Sequence, residues 1–180
     1  MPLELTTPPA SEPITLAEAK AHLKVDTDAD DALIERLIAA ARARAEWHTG
    51  RAFVTQSWIF WLDAWPETID LPLPPLQSVL SITAYTRADI AHTLSSSDYT
   101  VANNRIALKD GRAPPTDLRR LNAVAIAFTA GYGVASDVPA PLRVAILSLI
   151  AFLYEHRGEA PADLPQDILA LLAPYRVLKL

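Results

Sequence analysis

Between residues 33 and 63 the spacing of apolar side chains changes, and that change limits what the chain can fold into. Leu33, Ile34, Leu37, Ile38, Ala41 and Ala45 recur every three or four positions, which puts them on one face of a helix. The stripe stops at Gly50, a residue suited to a left-handed helix cap. Beyond it, Gln56 to Asp63 (QSWIFWLD) is aromatic and β-branched and reads as a strand. A chain that switches period in this way needs both a helical and a sheet core.

The four aspartates ahead of the stripe, Asp26, Asp28, Asp30 and Asp31, could suggest a calcium loop. Such a loop needs a glycine at its sixth position and a glutamate at its twelfth. Counted from Asp26 these positions hold Asp31 and Leu37, so the pattern fails. The spacing predicts that the carboxylates cap a helix running from near Asp28 to Thr49, where first-turn N–H groups lack partners. A shorter helix precedes it, opened by the capping box Thr15-Leu16-Ala17-Glu18 and ending near Lys24. Residues 1–12 carry three prolines and no periodicity, and read as a flexible arm.

Further strands are expected at Leu80 to Thr86, at Asp98 to Leu108 and at Ala123 to Ala130. Asn103-Asn104 suits a two-residue hairpin turn inside the second of these. The prolines of LPLPPLQSV argue for an extended crossing or edge rather than a central strand. Helix returns after Pro139 and Pro141, with Leu142 to His156 apolar on most faces, and again from Gln166 to Ala173. The order predicts an α+β fold, a mainly helical body of two N-terminal and two C-terminal helices with an inserted antiparallel β subdomain. The expected boundaries are 1–12 (arm), 13–52 (body, first part), 53–135 (β insert), 136–160 (body, second part) and 161–180 (C-terminal helix and tail).

Composition narrows the function. A net charge of −5 argues against binding nucleic acid through a basic surface. The absence of cysteine excludes disulfides, thiolate zinc sites and thiol nucleophiles, and fits a reducing compartment. The most apolar run, Val144 to Tyr154, lies between Arg143 and Glu155 and falls short of the roughly 20 residues of a membrane span.

No catalytic constellation emerges. His48 and His156 each fall two residues before a glycine, in the last turn of a helix, where a partly positive imidazole suits the dipole. His22 and Asp26 are four apart, but two ligands do not make a metal site, and His92 has no identifiable partner. Gly131-Tyr132-Gly133 lacks the third glycine of a dinucleotide site and the Lys-Ser/Thr of a phosphate loop, and reads as a turn. The acids Asp63, Glu67, Asp70, Asp89 and Asp98 are scattered. They keep open one alternative, a small hydrolytic or metal-dependent enzyme using carboxylates of the β subdomain. Trp47, Trp58, Trp61 and Trp65 are expected at the joint between helical body and β insert.

A series of segments resembles the head–tail connector (adaptor) proteins of long-tailed bacteriophages and gene transfer agents. It runs from ITLAEAKAHLKVD through ALIERLIAAARARAEWHTGRAFVTQSW, LPLPPLQSVLSITAY, AIAFTAGYG and VPAPLRVAILSLIAFLYEHRG to LLAPYRV. It covers Pro13 to Val177 in order. The resemblance implies a structural protein without enzymatic activity, catalytic residues, cofactor or metal. It implies a ring, usually a dodecamer, beneath the portal protein, with the subunit monomeric in isolation. Such a ring extends the DNA channel and offers a surface to a head-completion or tail-terminator protein, with double-stranded DNA only as passing cargo and no membrane. The expected location is the host cytoplasm during assembly and then the particle neck. In relatives the C-terminal segment engages the portal, which here points to Leu171, Leu172, Tyr175, Arg176, Val177 and Leu178. The apolar ending LLAPYRVLKL reads equally as a surface for a partner, because a solvated terminus normally ends polar, or as a tail folded back on its own helices. An acidic balance also suits a conduit that must release its genome.

Overall fold

The computed structural model of the chain describes residues 2–156 and 163–177. The chain is α+β and forms two compact units, one of residues 1–9 and 55–131, the other of residues 10–54 and 132–180.

The first unit is built on a five-stranded antiparallel sheet in the order β1-β2-β8-β4-β5. These strands are β1 (Leu3–Thr7), β2 (Gln56–Leu62), β4 (Leu76–Tyr85), β5 (Ala91–Thr93) and β8 (Val124–Ala130). Alternation decides its buried face. Phe60, Ile126 and Ile82 stand opposite one another across three strands, as do Leu62, Val124 and Ala84, and all six are buried. A smaller sheet, β3-β7-β6, consists of β3 (Thr68–Asp70), β6 (Tyr99–Ala102) and β7 (Arg105–Leu108). Its hairpin turns at Asn103-Asn104, where Asn103 takes φ 53°, as a two-residue turn of this kind requires.

One expectation for this unit needs correction. The arm expected at residues 1–12 instead contributes an edge strand, with Leu3 opposite Phe60 and Leu5 opposite Trp58. Its partner lies more than fifty positions away, and local periodicity does not report such pairing. The segment LPLPPLQSV stays an extended edge, as its prolines require: its paired residues Leu76, Ser78 and Val79 meet β8 on one side only. β4 begins at Leu76, directly after Pro75, and is flanked by β5 as well only further on, from Thr83 to Tyr85. The ladder accommodates this with irregularities between Leu76 and Ser78 and between Val79 and Ser81. Gln77, skipped by the pairing, spends its amide on Gly131 O at 2.9 Å and Thr55 Oγ1 at 2.7 Å.

The second unit holds α1 (Leu16–Leu23), α2 (Asp31–Thr49), α3 (Ala140–Glu155) and α4 (Gln166–Leu172). The capping box forms as the sequence predicts. Glu18 N donates to Thr15 Oγ1 at 3.2 Å and Thr15 N to Glu18 Oε2 at 2.8 Å. The bond from Thr15 N, and after it one from the Thr15 hydroxyl to the same oxygen at 2.8 Å, hold the Glu18 carboxyl below its ordinary range. α1 ends at Lys24 in the left-handed conformation and α2 at Gly50 with φ 69°. The core joins Ile34, Ile38, Ala41 and Ala45 of α2 to Leu142, Ala145, Ile146, Leu149 and Ile150 of α3, closed by Ile14, Phe53, Ile168 and Leu172.

The aspartates do not cap α2 as expected. The helix begins at Asp31, and Asp30 at its N-cap makes no side-chain capping bond. Asp28 and Asp31 instead share the Lys20 ammonium, each at 2.7 Å, and Asp30 accepts from the Tyr154 hydroxyl. Cross-links to α1 and α3 have displaced capping. Among the described residues no helix is long and apolar enough to cross a membrane.

Candidate functional site

The chain end is the region for which the sequence makes a specific claim, and the structure describes it through Val177; Leu178 lies outside the described residues. Pro165 precedes α4, so the helix starts without losing a bonded N–H, and Leu169 N bonds back to Pro165 O at 3.0 Å. The helix tightens into a 3₁₀ turn at Ala173–Tyr175, and Arg176 leaves it extended.

The segment then closes onto the C-terminal end of α2. Val177 N donates to Thr49 O at 2.8 Å, and Arg51 Nε donates to Tyr175 O at 2.5 Å. Thr49 O is one of the carbonyls a helix end leaves without an intrahelical partner, so the bond from Val177 satisfies it. The Val177 side chain lies over Gly50, and a Cβ there would meet Val177 Cβ at 3.5 Å, an ordinary contact. The left-handed backbone, not crowding, is what asks for glycine at this position.

These contacts fold the segment in part onto its own helices. Leu172 is fully buried in the helical core, and Leu171 and Tyr175 are half-buried against it. The outward surface consists of Ala173, Pro174 and Arg176, edged by Leu171, Tyr175 and Val177. Of the predicted residues, Leu171, Leu172, Tyr175, Arg176 and Val177 are therefore brought to one place, but Leu172 serves the core.

The floor under the segment, Thr49, Gly50 and Arg51, was missed by sequence reasoning. Gly50 marked a helix end without showing what packs on it. The electrostatics of His48 also differ from expectation. Burial first, and then the charge of Arg176, hold His48 below its ordinary value of 6.5, so its neutral form is favoured, not a dipole-stabilised cation. Burial raises the Tyr132 phenol, and Arg51 opposes that rise.

Trp47 needs correction as well. Its side chain is 89% exposed on α2 and does not form part of a buried joint. His156 takes a local role, its Nδ1 lying 2.8 Å from Phe152 O. Gly131-Tyr132-Gly133 is a turn in which both glycines have positive φ. A Cβ at Gly133 would collide with the Asp137 carboxylate, which accepts from Val134 N at 3.0 Å.

The acids of the first unit are dispersed onto separate partners. Asp70 pairs with Arg105, Asp89 with Arg119, Asp98 with Arg112 and Asp117 with Arg87. Asp63 accepts from Asn122 N at 2.8 Å. Among the described residues no three His, Asp or Glu side chains converge on a possible metal position. The hydrolytic alternative gains no paired carboxylates from this arrangement.

Comparison with known proteins gives a consistent result. Residues 13–110 match the family model described as phage gp6-like head-tail connector protein. No curated protein matches the chain. Among solved structures, a chain from the neck of an empty gene transfer agent (GTA) particle computed with C6 symmetry superposes with a TM-score of 0.84 at 26% identity. That match covers 100% of this chain and 97% of the other. A chain from the virion of a native GTA particle gives 0.83 at 27% identity, and one from the native neck computed with C12 symmetry gives 0.83 at 26%. Coverage is again 100% and 97% in both.

Proposed function

The chain belongs to the phage gp6-like head-tail connector family, and from that premise we propose that its copies form a ring beneath the portal of a phage or gene-transfer-agent particle. The ring extends the DNA channel and offers its far side to a head-completion or tail-terminator protein. The observation that carries this reading is the end-to-end likeness to chains of particle necks, one of them computed with C12 symmetry. The role assigned is structural, with twelve copies in the ring and location in the neck after assembly in the host cytoplasm.

We assign the portal contact to the C-terminal segment. Its outward ridge of Ala173, Pro174 and Arg176, edged by Leu171, Tyr175 and Val177, is anchored to α2 through Thr49 and Arg51. A ridge held in this way is preorganised, so docking loses less conformational freedom than a free arm would. Leu172 supports the ridge from beneath and does not touch the partner.

Binding of the purified full-length chain to portal-bearing heads tests the proposal. Wild type is expected to bind and Arg176→Glu to bind at least tenfold more weakly, with an unchanged circular dichroism spectrum. Undiminished binding by Arg176→Glu and by a chain truncated after Pro174 would move the portal contact elsewhere. Failure of the wild type to bind heads would contradict the connector role itself.

A further inference from the structure

Two unmatched features stand on the helical unit. The first is the outer face of α2, where Arg36, Ala40, Ala43 and Trp47 follow one another at helical spacing and are all exposed. Among the described residues Trp47 is the most exposed of the large apolar side chains. A solvated tryptophan beside two alanines is unusual on a surface with no partner, because Trp is enriched where proteins meet and the alanines allow close approach.

The second feature is an open groove of about 590 Å³ along α1, lined by Leu16, Ala17, Lys20, Ala21, Val25 and Asp26. Its lining is mostly apolar. Lys20 is already engaged by Asp28 and Asp31, whereas Asp26 has no ion pair among the described residues. An indole matches this chemistry: its rings cover aliphatic side chains and its N–H seeks an acceptor.

Trp47 lies near the end of α2, whereas the groove adjoins the Lys20 ammonium that holds Asp31 at its start. Trp47 lies sixteen positions beyond Asp31 on α2, roughly 24 Å at about 1.5 Å per residue. Two different patches, one near the end of α2 and one along α1 beside its start, are what a head-to-tail contact needs. A closed ring is made from such heterologous contacts, in which each copy offers one patch forward and another backward.

We propose that Trp47 of one copy docks into the Leu16–Asp26 groove of the next, the indole N–H donating to Asp26, and that this contact repeats around the ring. The inference rests on the ring reading above, in which the neighbour is a second copy of this chain. The C12 symmetry of a related neck supports that choice of occupant over any other protein.

The natural chain has no cysteine, so introduced thiols report one contact only. Particles are assembled with Trp47→Cys, Ala21→Cys or the double variant, mildly oxidised and run on denaturing gels. Both positions are exposed, so neither substitution disturbs the core. The double variant is expected to give a ladder of cross-linked species up to the ring size, and each single variant a monomer. Dimers from Trp47→Cys alone would mean that the face meets itself, which overturns the proposal. Rings visible by electron microscopy without a ladder would overturn it while leaving the ring reading intact. Necks in which this chain forms no ring would overturn both.

Discussion

The two units stabilise themselves by different means. The helical unit has a continuous core running from Ile14 through Ile34, Ile38, Ile146 and Leu149 to Leu172, and its ion pairs tie one element to another. Arg42 joins Glu12 to Glu46, Lys20 joins α1 to the start of α2, and Arg143 of α3 joins Glu18 of α1. In the β unit the arginine–aspartate pairs are mostly exposed, as with Arg105 and Asp70 at 60% and 71%. The small sheet buries little beyond Ile69, Tyr99 and Ile106. The difference suggests a division of labour. We expect the helical unit to hold contacts of fixed geometry, and the short strands and outer loops of the β unit to open more readily.

The largest effect that would sharpen this contrast is in the helical core. Leu149→Ala removes a fully buried side chain between α3 and its neighbours and should cost about 2–5 kcal/mol, read from urea denaturation. A loss below about 1 kcal/mol would mean that the core is loosely packed and the contrast false. Hydrogen exchange gives the matching comparison. Amides of residues 87–97, around the three-residue strand β5, should exchange far faster than those of α3, and equal protection would remove the distinction.

The next effect is smaller. Thr15→Ala abolishes the capping box and should cost about 1 kcal/mol in a thermal melt. Arg105→Ala, by contrast, breaks an exposed pair in the β unit and should change stability by less than about 0.5 kcal/mol. If the order of these two were reversed, the surface pairs would be doing more than their exposure allows.

The fold was largely legible because its strongest signals are local. The capping box at Thr15, the stripe on α2, the alternation of Val124, Ile126 and Phe128 and the Asn103 turn each follow from residues within one element. The N-terminal strand was hidden because Leu3–Thr7 is extended through its pairing with β2. β3 and β5 are three residues each, too short to display a period. Capping by the aspartates failed because Lys20 and Tyr154, distant in sequence, compete for the same carboxylates.

The chain end was legible only as a location. An apolar terminus does not say whether it faces a partner or its own core, and here the two are interleaved, Leu172 inward and Arg176 outward. Trp47 could have been placed from sequence. At roughly 100° per residue it projects about opposite the stripe of Ile34, Ile38, Ala41 and Ala45, so the helical pattern alone puts it outside.

The smallest effect concerns pH at the frame's end. Because the folded state holds His48 below 6.5, the unfolded chain binds more protons just under that value. The stability His48 contributes is present above about 6.5 and is lost as pH falls through its folded value. Arg176→Ala removes one cause of the shift, so the His48 resonance should titrate at higher pH in the variant. An unmoved titration would mean that the C-terminal segment does not lie where it is described.

The central claim, that this chain is the ring-forming connector of a particle neck, is tested most directly by electron cryomicroscopy of the neck of particles containing it. The account predicts a closed ring of twelve copies directly beneath the portal, each fitted by the helical unit with Arg176 facing the portal. A neck in which density beneath the portal is fitted by another protein, or in which this chain lies outside the channel as isolated copies, would contradict it.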